Sequence, residues 1–132
     1  MIAKFVLYTS IFLIVVRLWI LFYFTFFGKS EMGQALLYDQ FHHYFIGLLI
    51  IGLSLLSRVW LKSRFVVVLA FGLALFLEEY PIWLSDLGLG LPKPYFYLTF
   101  PDNLITVSLG LLGTFISLFL NTRSRCLRGS KN

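Results

Sequence analysis

The chain has 132 residues, of which 59% are hydrophobic, 19% aromatic and only 13% charged. Water-soluble domains usually carry about 25% charged residues, so this composition excludes an ordinary soluble fold and predicts an integral membrane protein. The formal net charge is +5. Membrane topology and anionic lipid headgroups account for that basic excess, so we expect the lipid bilayer and no nucleic acid as a partner.

Four apolar segments follow one another along the chain, and each approaches the roughly 20 residues that a helix needs to cross a bilayer. They span residues 4–27, 40–57, 65–84 and 103–121. We expect the first segment to be retained, because Arg17 interrupts its apolar run and no small-residue cleavage pattern follows it. The sequence therefore predicts an all-α integral membrane four-helix bundle, formed as a single transmembrane domain over residues 1–132.

The residues that connect and end these segments also predict local structure. Residues 85–102 alternate leucine with glycine and then become aromatic, which predicts an outer loop lying along the membrane interface. Asp102 is expected to cap the fourth helix, and Pro81 to loosen the end of the third. The polar tail beyond residue 121 is expected to be irregular.

Basic residues are distributed unequally between the two sides of the predicted bundle. With four spans, both termini and the middle connection share one side, and the opposite side carries only Lys29 and Lys93. The positive-inside rule then places both termini in the cytoplasm, as a multi-pass protein of the plasma (inner) membrane. The basic residues of the inner side are Lys4, Arg58, Lys62, Arg64, Arg123, Arg125, Arg128 and Lys131.

The acidic residues and the histidines all fall on or toward the outer side. They are Glu31, Asp39, Glu78, Glu79, Asp86, Asp102, His42 and His43. The single cysteine, Cys126, lies in the basic tail and excludes a disulfide within the chain.

A polar or ionisable residue recurs at one level of all four predicted spans. Arg17, His43, Glu78 and Ser108 each lie 13 to 15 residues from a basic residue at the inner end of their segment. At a rise of about 1.5 Å per residue, that spacing places all four some 20 Å above the inner interface. The sequence therefore predicts a polar layer in the outer half of the bilayer.

Helical periodicity predicts that several of these side chains point into the bundle. His43 shares one stripe with Asp39, Gly47 and Ser54, while His42 falls on an apolar stripe that faces lipid or a neighbouring subunit. Two further stripes of small or polar residues lie on the third and fourth spans: Ala70, Ala74 and Glu78, and Asn103, Thr106, Gly110, Thr114 and Ser117.

The polar layer contains more carboxylate than one arginine can neutralise. Arg17 is the expected charge partner of Glu78 or Glu79, which leaves an acidic excess beside imidazole, a combination that suits a divalent metal ion. The predicted ligands are Asp39, His42 or His43, Glu78 and Glu79, and the predicted ion is zinc, manganese or iron. The spacing matches no established metal motif such as HExxH.

Three classes of function are consistent with this layer. A metal-dependent membrane enzyme would use Glu79 as its catalytic general base. A small carrier, coupled to protons or cations, would act as a homodimer, and its intramembrane glutamates would titrate during transport. An accessory subunit of a larger membrane complex would need only a structural network of Arg17, the glutamates and histidine.

Overall fold

The structure is a computed structural model that describes residues 2–27, 42–89 and 100–129. All regular structure in these residues is helical, which confirms the predicted all-α class. A 3₁₀ turn over Lys62–Arg64 joins the third and fourth helices. The helices are α1 (Ile2–Phe27), α2 (His43–Leu56), α3 (Arg58–Leu61), α4 (Phe65–Glu78), α5 (Tyr80–Asp86) and α6 (Phe100–Gly129).

The four long helices pack in a row. Helix α2 packs on α4, α4 packs on α1, and α1 packs on α6. The two central helices therefore carry Arg17, on α1, and Glu78, on α4.

Within the described residues, two segments are long and apolar enough to cross a membrane, judged by length and composition: Ile2–Tyr23 of α1 and Leu104–Thr122 of α6. Helices α2 and α4 have 14 residues each. At about 1.5 Å per residue they measure about 21 Å, less than a bilayer core of about 30 Å. The four-helix membrane bundle, the orientation and the membrane that holds it therefore stay predictions.

The third predicted span is broken. Helix α4 ends at Glu78 and α5 begins at Tyr80, whereas the sequence predicted one helix over 65–84. Pro81 lies in the first turn of α5 and has no N–H to continue the ladder of α4. Trp83 bridges the break, because its indole N–H donates to the carbonyl of Phe76 at 3.1 Å and its ring stacks on the Phe76 ring.

Helix α6 is longer than predicted at both ends. It begins at Phe100, so Asp102 lies within its first turn and not at the expected position before the helix. It also continues to Gly129, where we expected an irregular tail, because neither proline nor glycine interrupts residues 123–128. Most of the expected interfacial loop, residues 90–99, lies outside the described residues.

The helices bury many small and polar residues and expose most of their large apolar ones. Over residues 104–122 of α6, the buried positions are Thr106, Gly110 and Ser117. The Ser117 hydroxyl donates to the carbonyl of Ala3 at 2.6 Å and so links α6 to α1. Residues that α6 exposes by 40% or more include Leu104, Leu109, Leu112, Phe115 and Phe119. This distribution is the reverse of that in a water-soluble protein.

Close packing of α2 on α4 depends on a pair of glycines. A Cβ atom at Gly47 would lie only 2.7 Å from the carbonyl oxygen of Gly72 and from the backbone nitrogen of Phe76. A Cβ atom at Gly72 would lie 2.9 Å from Ile50. Because a Cβ atom added at Gly47 would meet backbone atoms and not the flexible end of a side chain, any larger residue at this position must push the two helices apart.

We expect Gly47→Ala to destabilise the protein by about 1–3 kcal/mol, the usual cost of overpacking. The matched control is Gly52→Ala on the same helix, where the added methyl group would meet nothing within 4 Å. Thermal unfolding of the detergent-solubilised variants measures the difference. Equal stability of the two variants would contradict the close approach of α2 and α4.

Candidate functional site

Four side chains from α1, α2 and the end of α4 form a polar cluster, here called the Arg–Glu–His cluster: Arg17, His43, Glu78 and Glu79. Arg17 and the two glutamates are at most 2% exposed, whereas the side chain of His43 is 53% exposed. The small stripe of Ala70 and Ala74, both fully buried, leads along α4 to Glu78, as the sequence predicted. The cluster is therefore buried on the carboxylate side and open at the histidine.

Arg17 and Glu78 form a buried ion pair between the two central helices. The Arg17 Nη1–H group donates to Glu78 Oε1 at 2.5 Å. Either charge alone would be costly in an apolar interior, and the pair needs good geometry to offset the loss of hydration. The predicted charge partnership of Arg17 is thus made with Glu78.

Glu79 lies at the start of α2, where it satisfies a backbone group of that helix. The backbone N–H of Tyr44 donates to Glu79 Oε2 at 2.6 Å. The first N–H groups of a helix have no partner within it, and the helix dipole favours negative charge at that end. His42, at the cap position, makes no side-chain capping bond, so Glu79 supplies the cap from another helix.

His43 approaches the second oxygen of the same carboxylate. Its Nδ1 atom lies 3.3 Å from Glu79 Oε1. A protonated Nδ1 would donate to that oxygen, and an unprotonated one would direct a lone pair into the same space. The position can therefore hold either a proton or a metal ion.

The three groups form a compact set of potential ligands. One ligand atom from each of His43, Glu78 and Glu79 lies within 4.8 Å of the others. Glu78 Oε2 is buried and has no hydrogen-bond partner among the described residues. Arg17 thus contacts one oxygen of Glu78, and Tyr44 and His43 approach the two oxygens of Glu79.

The structure brings together four of the residues singled out from sequence, and His42 is not among them. His42 has an extended backbone before α2, and its ring stacks on Tyr44 with the centroids 5.9 Å apart. The expected placement of His42 and His43 on one helix is therefore wrong, and His43 is the histidine beside the carboxylates. Asp39 lies outside the described residues.

Ser108 is exposed, so the fourth helix does not contribute it to the layer. The buried polar residue on that part of α6 is Thr106. Sequence reasoning also missed the Tyr44 N–H, because a backbone donor becomes available only where a helix begins. The expected start at residue 40 would have placed that N–H inside the helix.

We expect Arg17→Met to destabilise the protein by about 3–5 kcal/mol, because it leaves the Glu78 carboxylate buried without its partner. Glu78→Met should have a similar effect, and the double variant should recover most of either loss, because it removes both charges together. Reversible unfolding in mild detergent measures all three. Additive losses in the double variant would contradict a coupled ion pair.

The geometry of the cluster thus offers two held carboxylates and one accessible imidazole to a ligand. The chain matches none of the known protein families, curated proteins or solved structures with which it was compared.

Proposed function

We propose that the protein is a multi-pass integral membrane protein that binds a divalent cation through His43, Glu78 and Glu79. The observation that carries this proposal is the set of three ligand atoms lying within 4.8 Å of one another. Imidazole nitrogen and carboxylate oxygen are ligands that zinc, manganese and ferrous iron accept.

The membrane part of the proposal is supported by the reversed distribution of residue types. Many buried positions hold threonine, serine, glycine or alanine, and most of the large apolar residues lie on the outward faces of the long helices. Trp19, Phe26, Leu49 and Phe115 are all more than 60% exposed. An apolar surface of this extent is stable against lipid but not against water.

The orientation we propose follows the basic residues. Arg58 and Arg64 flank the short connection between α2 and α4 and are exposed there. With the termini on the same side, as an even number of spans requires, this side faces the cytoplasm of the plasma (inner) membrane. The cluster then lies toward the outer side.

The cation part of the proposal is supported by how the carboxylates are held. Arg17 orients Glu78 through one oxygen, and the Tyr44 N–H orients Glu79 through one oxygen. Outer-shell hydrogen bonds of this kind are what fix metal ligands in proteins.

The charges allow a cation to bind. Ionised Glu78 and Glu79 carry two negative charges against one on Arg17, so the cluster is one charge negative while His43 is neutral. A divalent ion would replace a proton at His43 and leave one positive charge. A bound hydroxide, an anionic group of a substrate or Asp39 would then balance the site.

Catalysis would need more than the cluster supplies. If Glu79 Oε1 binds the ion while Oε2 accepts the Tyr44 N–H, Glu79 has no oxygen free to act as a general base. Its two predicted roles, ligand and catalytic base, therefore compete. Cation binding is the function that the described residues support, and a metal-dependent reaction would draw its base from substrate or from another residue.

Loading purified protein with Zn²⁺ or Mn²⁺ tests the proposal. We expect about one equivalent to remain after dialysis, measured by elemental analysis, and saturable binding by calorimetry. His43→Ala and Glu79→Gln should each weaken binding at least about 10-fold, since even residues that only orient a ligand contribute about 10–100-fold. His42→Ala is the matched control and should bind as the unchanged protein does.

Three results would contradict the proposal. If no metal is bound, and if His43→Ala and Glu79→Gln change only the stability of the protein, the cluster is a structural network suited to an accessory subunit of a larger complex. Equal loss in His42→Ala and His43→Ala would remove His43 as the ligand. Proton-driven uptake into vesicles that Glu78→Gln abolishes, without stoichiometric metal binding, would identify a carrier.

A further inference from the structure

A cavity apart from the Arg–Glu–His cluster lies between α1, the junction of α4 with α5, and α6. Its volume is about 230 Å³. Leu13 of α1, Leu77 of α4, Tyr80 of α5 and Leu109 of α6 form most of its apolar wall. It shares no lining residue with the Arg–Glu–His cluster, although Leu77 and Tyr80 bracket the two glutamates in the chain.

One buried hydroxyl in this wall has no partner. Thr106 is 2% exposed, and its Oγ1 atom makes no hydrogen bond to any residue that the structure describes. The hydroxyls of Thr9 and Ser10, which also line the cavity, differ from it, since Thr9 donates to the carbonyl of Phe5 and Ser10 to that of Val6. A buried hydroxyl without a partner is costly, so its retention indicates a ligand that supplies an acceptor or donor.

The volume of the cavity and the place where it opens limit the class of ligand that it can bind. At about 30 Å³ for each water-sized group, the cavity holds about seven or eight such groups. Its wall is mostly apolar, which disfavours a cluster of waters and favours a hydrocarbon chain. Leu109 lines the cavity and is 53% exposed, so the cavity reaches the outer surface of α6.

We infer that this cavity binds the end of a lipid chain bearing a single hydroxyl or carbonyl oxygen, with that oxygen hydrogen-bonded to Thr106. The chain would enter beside Leu109, from the apolar surface that α6 presents. An acyl ester and an isoprenoid or fatty alcohol share this chemistry. The inference is independent of metal binding, because no residue of the Arg–Glu–His cluster takes part.

Photolabelling with a diazirine-bearing octanol tests the inference on the full chain in mild detergent. We expect labelled peptides to contain Leu13, Leu77 or Leu109, and unlabelled octanol to compete better than octane. Thr106→Val, which keeps the side-chain shape, should reduce the octanol-to-octane preference about 5- to 10-fold, the contribution of one hydrogen bond. Methyl octanoate as a third competitor distinguishes an ester carbonyl from an alcohol as the preferred group.

Controls separate binding from folding. Thr106→Ser retains the hydroxyl and should retain the preference, and Ser108→Ala removes an exposed hydroxyl from the same helix and should change nothing. Thr106→Val should unfold at or above the temperature of the unchanged protein, since it removes a buried hydroxyl that lacks a partner. Labelling confined to lipid-facing positions such as Phe115, or an unchanged preference in Thr106→Val, would overturn the inference.

Discussion

The buried ion pair between Arg17 and Glu78 is the interaction on which the arrangement of the helices depends. Each charge lies in a segment that is otherwise apolar, so neither α1 nor α4 can be buried without a partner for it. Pairing the two fixes the rotation and the height of α1 against α4, the central helices of the row. Gly47 and Gly72 then determine how closely α2 packs on α4, and Ser117 links α6 to α1.

The adjacent glutamates contact different neighbours, because Glu78 is the last residue of α4 and Glu79 lies in the turn between α4 and α5. Glu78 faces α1 and its arginine, and Glu79 faces the first turn of α2, where the Tyr44 N–H needs an acceptor. The helix is interrupted at Glu79, between the residue that contacts α1 and the residue that contacts α2. One oxygen of each glutamate lies within 4.8 Å of a ring nitrogen of His43, so the same interactions that hold the fold also assemble a possible ligand set.

The sequence was sufficient to predict the helical class, the pairing of Arg17 with a glutamate, and the inward direction of Ala70, Ala74 and Glu78, because these follow from apolar length, charge balance and helical period. The sequence was not sufficient where a local feature, such as the residue at which a helix begins, depends on a contact with a residue far away in the chain. Helix α2 begins at His43, where Glu79 caps it, so His42 lies before the helix and not on its apolar stripe as expected. Ser108 was wrongly assigned to the polar layer, because spacing along a helix predicts the depth of a residue in the membrane but not the direction in which its side chain points.

X-ray absorption at the zinc edge of the loaded protein tests the central claim most directly, since it identifies the atoms around the ion. We expect imidazole scattering from a single nitrogen at about 2.0–2.1 Å with carboxylate or water oxygens at about 2.0–2.2 Å, and loss of the imidazole signal in His43→Ala. Scattering from sulfur at about 2.3 Å would assign the ion to Cys126, and a shell of oxygens unchanged by His43→Ala would place it away from the Arg–Glu–His cluster. Either result would contradict the account.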